Sequence, residues 1–240
     1  MPIVIAADVA TAWKEAVGHC LAAQGREVPS LVVQLEISGP SDDVAFRDSV
    51  DRVLLREGRG TTGTVSRTIF PDGLWNPTKP RADLFERYLR ILPKLRKCPL
   101  NRRGLYFERM IAYPTDAKKL TTKNQLEFII STFSRGNHRR TALQASLYNP
   151  HIDASNSRRL GFPCLQQVSL MPSRSGDLTL VGYYPVHYIF ERAYGNYLGL
   201  VHLGRFMAQE MHLSLTRVVC IAGVATFEVT PSKISALRIA

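Results

Sequence analysis

Apolar residues recur at helical spacing in three stretches of the first hundred residues. Val9, Trp13, Val17 and Leu21 share one face of a helix predicted over residues 8–23, with Asp8 placed to cap it and Gly25 to end it. Val44, Val50, Val53 and Leu54 do the same for residues 42–57, which Gly58 stops. Residues 82–97 read as a strongly basic amphipathic helix inserted into the domain. Residues 29–37 are rich in aliphatic and β-branched side chains and predict a strand. Between these elements, Gly58-Arg59-Gly60-Thr61-Thr62-Gly63-Thr64 reads as a flexible loop. Glycines free backbone N–H groups to cradle an anion, but the Gly-Lys-Ser/Thr end of a P-loop is missing, so a surface loop is expected. Residues 72–80 are rich in proline and glycine and predict irregular chain.

Beyond residue 100 the pattern changes. Residues 104–113 read as extended. Leu126, Ile129, Ile130 and Phe133 line one face of a helix over 122–134. Strands are predicted at 141–148, 165–172, 178–184 and 217–229, with a long apolar helix at 188–212. Pro172-Ser173-Arg174-Ser175-Gly176-Asp177 predicts a hairpin turn, with Gly176 supplying a positive φ. Helices packed on a mainly antiparallel or mixed sheet make the class α+β, in one domain spanning 1–240.

Composition narrows the classes. The chain has 240 residues and is 45% hydrophobic, enough for one well-buried core. No apolar run approaches the roughly 18 residues of a membrane span. The first eight residues lack the basic start of a signal peptide, so the cytoplasm is the expected compartment. The 31 Lys and Arg residues outnumber the 20 Asp and Glu, a net charge of +11 that favours anionic partners. A nucleic-acid reading lacks the aromatic-studded basic groove of the known modules. Cys20, Cys98, Cys164 and Cys220 form no CxxC pair, so neither a metal site nor a disulfide framework is signalled. Cys20, Cys98 and Cys220 read as small buried hydrophobes.

Cys164 stands apart. Phe162-Pro163-Cys164-Leu165 puts it directly after a proline, at the start of an apolar strand. A cysteine attacks as the thiolate and needs positive charge or donors nearby. Upstream, His138-Arg139-Arg140 opens another strand, and adjacent guanidiniums suit a phosphate dianion. The pair of features suggests a nucleotide attacked by a thiolate. A buried cysteine and two surface arginines remain the alternative.

The order of features resembles the thymidylate synthase family. Arg139-Arg140, Tyr148-Asn149-Pro150, Phe162-Pro163-Cys164, a hairpin, Asn196, then Val201-His202 and Ala208-Gln209 follow that family's sequence of motifs. Tyr106, by its spacing to Tyr113-Pro114, falls on the family's tyrosine, and Gly25-Arg26 precedes a strand resembling the family's first. The likeness is good over roughly residues 100–230 and faint before. It implies a thymidylate synthase-like mixed sheet with one face forming a homodimer interface. It implies that Cys164 attacks C6 of a uracil, that Tyr106 assists proton removal at C5, and that Asn196 holds the base, favouring uracil over cytosine. Arg139 and Arg140 would reach the phosphate bound by the neighbouring subunit, with Arg26 as a further phosphate ligand. The partner is then a pyrimidine nucleotide monophosphate, and the cofactor is 5,10-methylenetetrahydrofolate. The activity implied is methyl or hydroxymethyl transfer to C5. The alternative is a relative that binds a pyrimidine nucleotide as a sensor or specialised-pathway component.

The chain departs from the family at several places. Its phosphate motif is replaced by Pro185-Val186-His187-Tyr188, while the look-alike Arg174-Ser175-Gly176-Asp177 lies in the hairpin turn. His187 reads either as a compensating ligand or as a satisfied structural residue. The family's sugar-contacting His-x-Tyr becomes Thr226-Phe227-Glu228, which places Glu228 beside a ribose. Leu165 follows the nucleophile where a histidine is usual. Asp51, with Glu57 next, is the nearest match to the helix glutamate that orients the folate. The family's closing tail has no counterpart before Ala240.

Overall fold

The computed structural model describes residues 1–116, 121–157 and 162–237; the Ala240 end lies outside them. The strands are β1 (Ile3–Ala6), β2 (Glu27–Glu36), β3 (Tyr113–Asp116), β4 (Thr121–Lys123), β5 (Gln144–Ser146), β6 (Gln167–Pro172), β7 (Asp177–Tyr188) and β8 (Ser214–Thr226). The helices are α1 (Val9–Ala22), α2 (Val44–Arg56), α3 (Thr62–Ile69), α4 (Arg81–Leu95), α5 (Tyr106–Ile111), α6 (Gln125–Ser134), α7 (Pro150–Asp153) and α8 (Tyr194–Glu210). Six strands form one mixed sheet in the order β1-β2-β8-β7-β6-β5, and β3-β4 make a separate ribbon. β1 and β2 run parallel, as do β7 and β8; the other pairs are antiparallel. Each parallel pair is joined by a helix, α1 or α8, because a parallel return needs a crossover. The expected α+β class with a mixed sheet is what the chain adopts.

The helices cover one face of the sheet. Val33, Cys220, Gly182, Val168 and Ala145 form one inward row across it. The opposite face is open. There Ile3, Val32, Ile221 and Tyr183 lie side by side, as do Ile5, Gln34, Val219 and Val181. Ile3 and Ile5 are 55% and 60% exposed. Singly exposed apolar residues are ordinary; a contiguous apolar sheet face is not.

α8 is the central helix, buried along nearly its whole length. It crosses α3 closely because Gly195 and Gly199 carry no side chain: a Cβ on Gly195 would stand 2.6 Å from the Thr62 carbonyl oxygen, and one on Gly199 2.8 Å from that of Ser66. This crossing makes a helix of Thr62–Ile69, a Thr/Gly/Ser segment of weak helix propensity that the sequence placed partly in a loop. Residues 104–113 are corrected as well. Six of them form α5, in which Phe107, Met110 and Ile111 are buried at helical spacing. Glu108 and Arg109 are also buried; Arg109 pairs with Asp153 at 2.8 Å and Glu108 with Arg96. The predicted strand at 141–148 shortens to β5. Cys20 and Cys220 are buried as expected, but Cys98 is exposed. The predicted hairpin joins β6 to β7, with Gly176 at φ +88°.

Candidate functional site

Strand geometry gathers one end of the sheet. β6 begins where Gln166 N–H donates to the Tyr183 carbonyl at 2.9 Å, so Cys164, just upstream, sits toward the C-terminal end of β7. β7 and β8 end together at Tyr188 and Thr226, and β2 starts opposite them at Glu27. Cys164, the chain leaving β7, the chain leaving β8 and Arg26 therefore lie at the same end. Open α/β sheets put ligands at such strand ends.

Tyr106, the first residue of α5, is the neighbour of Cys164. Its ring stacks on Phe162 with centroids 5.3 Å apart, and the Arg109 guanidinium lies over the Phe162 ring, 5.2 Å from its centroid. Gly104, at φ +125°, lets the chain approach: a Cβ there would come within 3.1 Å of Phe162. The Arg109–Asp153 pair and the stacked rings hold the Pro163-Cys164 segment against α5.

Cys164 is half-buried. Burial pushes its thiol above the ordinary value, and Glu191 adds to that; a hydrogen bond from Tyr106 and the charge of Arg192 act the other way. The Tyr106 hydroxyl is itself held protonated, chiefly by burial and then by Cys164, while backbone N–H groups of Leu165 and Cys164 oppose this. The resting site is a thiol with a hydrogen-bond donor and a guanidinium at hand.

Arg192 is the group the sequence reading missed. It lies in a π-turn, Ile189–Ala193, between β7 and α8. Its guanidinium pairs with Glu191 at 2.8 Å, and Glu191 meets Arg59 at 3.4 Å. The only sequence signal was a chemical demand, a cation for the cysteine, with the two 28 positions apart. π-turns within helices recur at functional sites.

Glu228, expected beside a sugar, has a different use. Its oxygens accept from Glu191 N–H at 2.6 Å and Phe190 N–H at 3.3 Å, so it fastens the π-turn. Burial raises its pKa above the ordinary carboxylate value. Arg26 donates to the Val229 carbonyl, and Phe227 N–H returns to the Arg26 carbonyl, so this guanidinium also serves the chain after β8. Arg26 takes a left-handed φ of +59°.

Asn196 is one helical turn beyond Arg192 and buried. Its amide nitrogen lies 2.9 Å from His187 Nε2. His187 is therefore a satisfied interior residue rather than a phosphate ligand, and burial alone drives its pKa down to about 3. It faces inward because strand alternation slips at Pro185. Tyr184 and His187 are both buried and stack with ring centroids 4.3 Å apart. The slip is built by Gly223, whose Cβ would stand 2.7 Å from the Pro185 carbonyl oxygen.

Arg139 and Arg140 are not brought to Cys164. They are exposed at a 3-10 turn before β5. β5 runs antiparallel to β6, and the Leu143 carbonyl accepts from Leu170 N–H at 2.8 Å. The arginine pair thus enters at the far end of β6, roughly 15–20 Å of strand from the Cys164 end. Among the described residues neither guanidinium has an ion-pair partner.

Two cavities lie elsewhere. One, of about 240 Å³, is lined by Arg47, Asp51, Ser66, Arg67, Asp72 and His202. In it Asp51 Oδ1 accepts from Thr62 N–H at 2.7 Å and so caps α3, while Arg47 and Arg67 pair with Asp42 and Asp72. The other, about 460 Å³ and mainly apolar, is lined by Tyr88, Ile91 and Leu95 of α4 with Leu74 and Leu105. Neither is lined by Cys164, Tyr106 or Arg192; that cluster owes its candidacy to its chemistry. No group of three or more His, Cys, Asp or Glu side chains suits a metal among the described residues. No protein-family model and no curated protein matches the chain.

Proposed function

We propose that the chain is a thymidylate synthase-like transferase that moves a one-carbon unit to C5 of a uridine-type nucleotide monophosphate through a Cys164 adduct. The observation that carries this reading is the grouping of a half-buried cysteine with a tyrosine donor and an arginine at one end of the sheet. The Cys164 thiolate adds to C6 of the ring, and the C5–C6 π electrons move onto C5 and O4. C5 becomes a carbon nucleophile and bonds the incoming one-carbon unit. Loss of the C5 proton, assisted by Tyr106 through water, would release the carrier's amine and leave a methylene on C5; addition of water to that carbon (hydroxymethyl) or of a hydride that the carrier would supply (methyl) would then expel the thiolate and restore the ring. Arg192 favours the thiolate over the thiol, and Asn196 presents its amide to the base edge.

5,10-Methylenetetrahydrofolate would supply the carbon. Asp51, the nearest counterpart of the family's folate-orienting carboxylate, lines the cavity of about 240 Å³ and caps α3 by accepting from Thr62 N–H.

The working unit in this proposal is a homodimer joined through the open sheet face. The exposed apolar residues of that face support it, and in this reading a second copy brings its Arg139-Arg140 pair to the phosphate of each nucleotide. Sedimentation of wild-type protein and of Ile221→Asp checks this: a dimer that the substitution dissociates is expected, and a wild-type monomer at micromolar concentration contradicts it.

A second reading keeps the nucleotide and drops the turnover. It is favoured by the raised pKa of Cys164 and by Asp51 and Glu228 being spent on helix and turn capping. Calorimetry with pyrimidine monophosphates, followed by product analysis with the folate added, separates the two. Binding with product supports transfer; binding without product supports the sensor; the absence of binding removes both.

A further inference from the structure

His187 is held on every side. Tyr184 stacks on its ring at 4.3 Å with 12° between planes, and Tyr197 of α8 meets it edge-on at 5.7 Å. Cys220 Sγ of β8 is 3.8 Å from Nδ1, and Asn196 Nδ2 is 2.9 Å from Nε2. Both tyrosine rings are fully buried, and their hydroxyls have no hydrogen-bond partner among the described residues. None of these neighbours carries a charge at neutral pH. With the Asn196 amide donating to Nε2, the imidazole proton sits on Nδ1, toward Cys220.

We infer that His187 is a positioning residue for base recognition, holding the Asn196 amide in the one orientation that reads uracil and rejects cytosine. The inference rests on the nucleotide reading of the Cys164 site. Uracil offers a donor at N3 and an acceptor at O4; cytosine offers an acceptor at N3 and a donor at N4. With its nitrogen against Nε2, the Asn196 amide keeps its carbonyl oxygen for N3–H and its second amide proton for O4. Reading cytosine requires the amide to turn over. That would press the carbonyl oxygen against the Nε2 lone pair in a dry interior, relieved only if the ring moves its proton from Nδ1 to Nε2 and leaves Nδ1 with the weak thiol donor of Cys220. The clamp of Tyr184, Tyr197 and Cys220 prevents the ring from moving out of the way. Asparagine alone is ambivalent; the histidine behind it makes the choice.

Titration calorimetry of deoxyuridine and deoxycytidine 5′-monophosphates with the full-length wild-type protein, His187→Leu and His187→Gln tests this. Wild type is expected to prefer the uracil nucleotide. His187→Leu should lower that preference roughly tenfold by freeing the amide to turn, while His187→Gln, whose side-chain carbonyl can accept, should restore most of it. A preference unchanged in a folded His187→Leu protein overturns the inference while leaving the nucleotide reading intact. If neither nucleotide binds wild type, the reading beneath it has failed instead. Long-range proton–nitrogen NMR of the wild type needs no variant to fold: a His187 protonated at Nδ1 and bare at Nε2 is expected, and the reverse tautomer overturns the inference.

Discussion

Acidification should unfold this protein through His187. The ring is 2% exposed, packed among Tyr184, Tyr197, Cys220 and Asn196, and its pKa falls to about 3 because burial disfavours the imidazolium. In the unfolded chain a histidine titrates near 6.5. The folded-state pKa is depressed, so the folded state binds fewer protons. The neutral ring's contribution is fully present above about pH 6.5 and is lost as pH falls toward 3. At pH 5 the unfolded histidine is about 1.5 units below its pKa and the folded one still neutral, which is worth about 2 kcal/mol. Urea melts at pH 7.5 and pH 5 measure this, with His187→Gln as the reference that removes the titration and keeps an acceptor for Asn196. Wild type should lose about 2 kcal/mol more than the variant between the two pH values. His202, whose pKa is also lowered by burial, is common to both proteins and cancels. Equal losses in the two proteins would refute the reasoning, because they would mean that the ring is protonated in the folded state or reached by water.

Three other perturbations probe the frame and the site. Gly195→Ala forces a Cβ to within 2.6 Å of the Thr62 carbonyl oxygen and of Val65 Cβ, so it should cost about 2–3 kcal/mol in a urea melt. Asp153→Ala leaves the buried Arg109 without its carboxylate and should cost about 3–5 kcal/mol in the same assay. Arg192→Ala removes the cation beside Cys164; in a Cys98→Ser background, iodoacetamide alkylation at pH 8 should slow roughly two- to threefold, and an unchanged rate would discount Arg192 as the activating charge.

The long helices were legible because each buries one face: α1, α2, α4 and α6 lie within a few residues of their predicted ends. α3 was not, because Thr62-Gly63-Thr64-Val65-Ser66 is helical only where Gly195 and Gly199 let α8 press against it. α5 was misread because Tyr106 and Phe107 have strand preference, while the burial of Arg109 against Asp153 decides the matter. Tyr106 was singled out through the resemblance alone, and the fold sets it beside Cys164. The role of Arg192 did not, since it depends on a π-turn fastened by Glu228. His187 turned inward through an alternation slip set by Gly223 on a neighbouring strand, a tertiary effect with no local mark. Arg139-Arg140 were read as a phosphate pair; the antiparallel pairing of β5 with β6 puts them at the end of β6 away from Cys164, which no local pattern marks.

Hydrogen–deuterium exchange at C5 of deoxyuridine 5′-monophosphate in D₂O, without folate, tests the proposed chemistry most directly. Reversible addition of a thiolate to C6 makes C5 basic, so protonation and reversal replace C5–H with deuterium, which the nucleotide's mass reveals. Wild-type protein should catalyse the exchange, and Cys164→Ala should reduce it to the uncatalysed rate. Nucleotide that binds yet keeps its C5 hydrogen, or exchange that survives the loss of Cys164, would contradict the account.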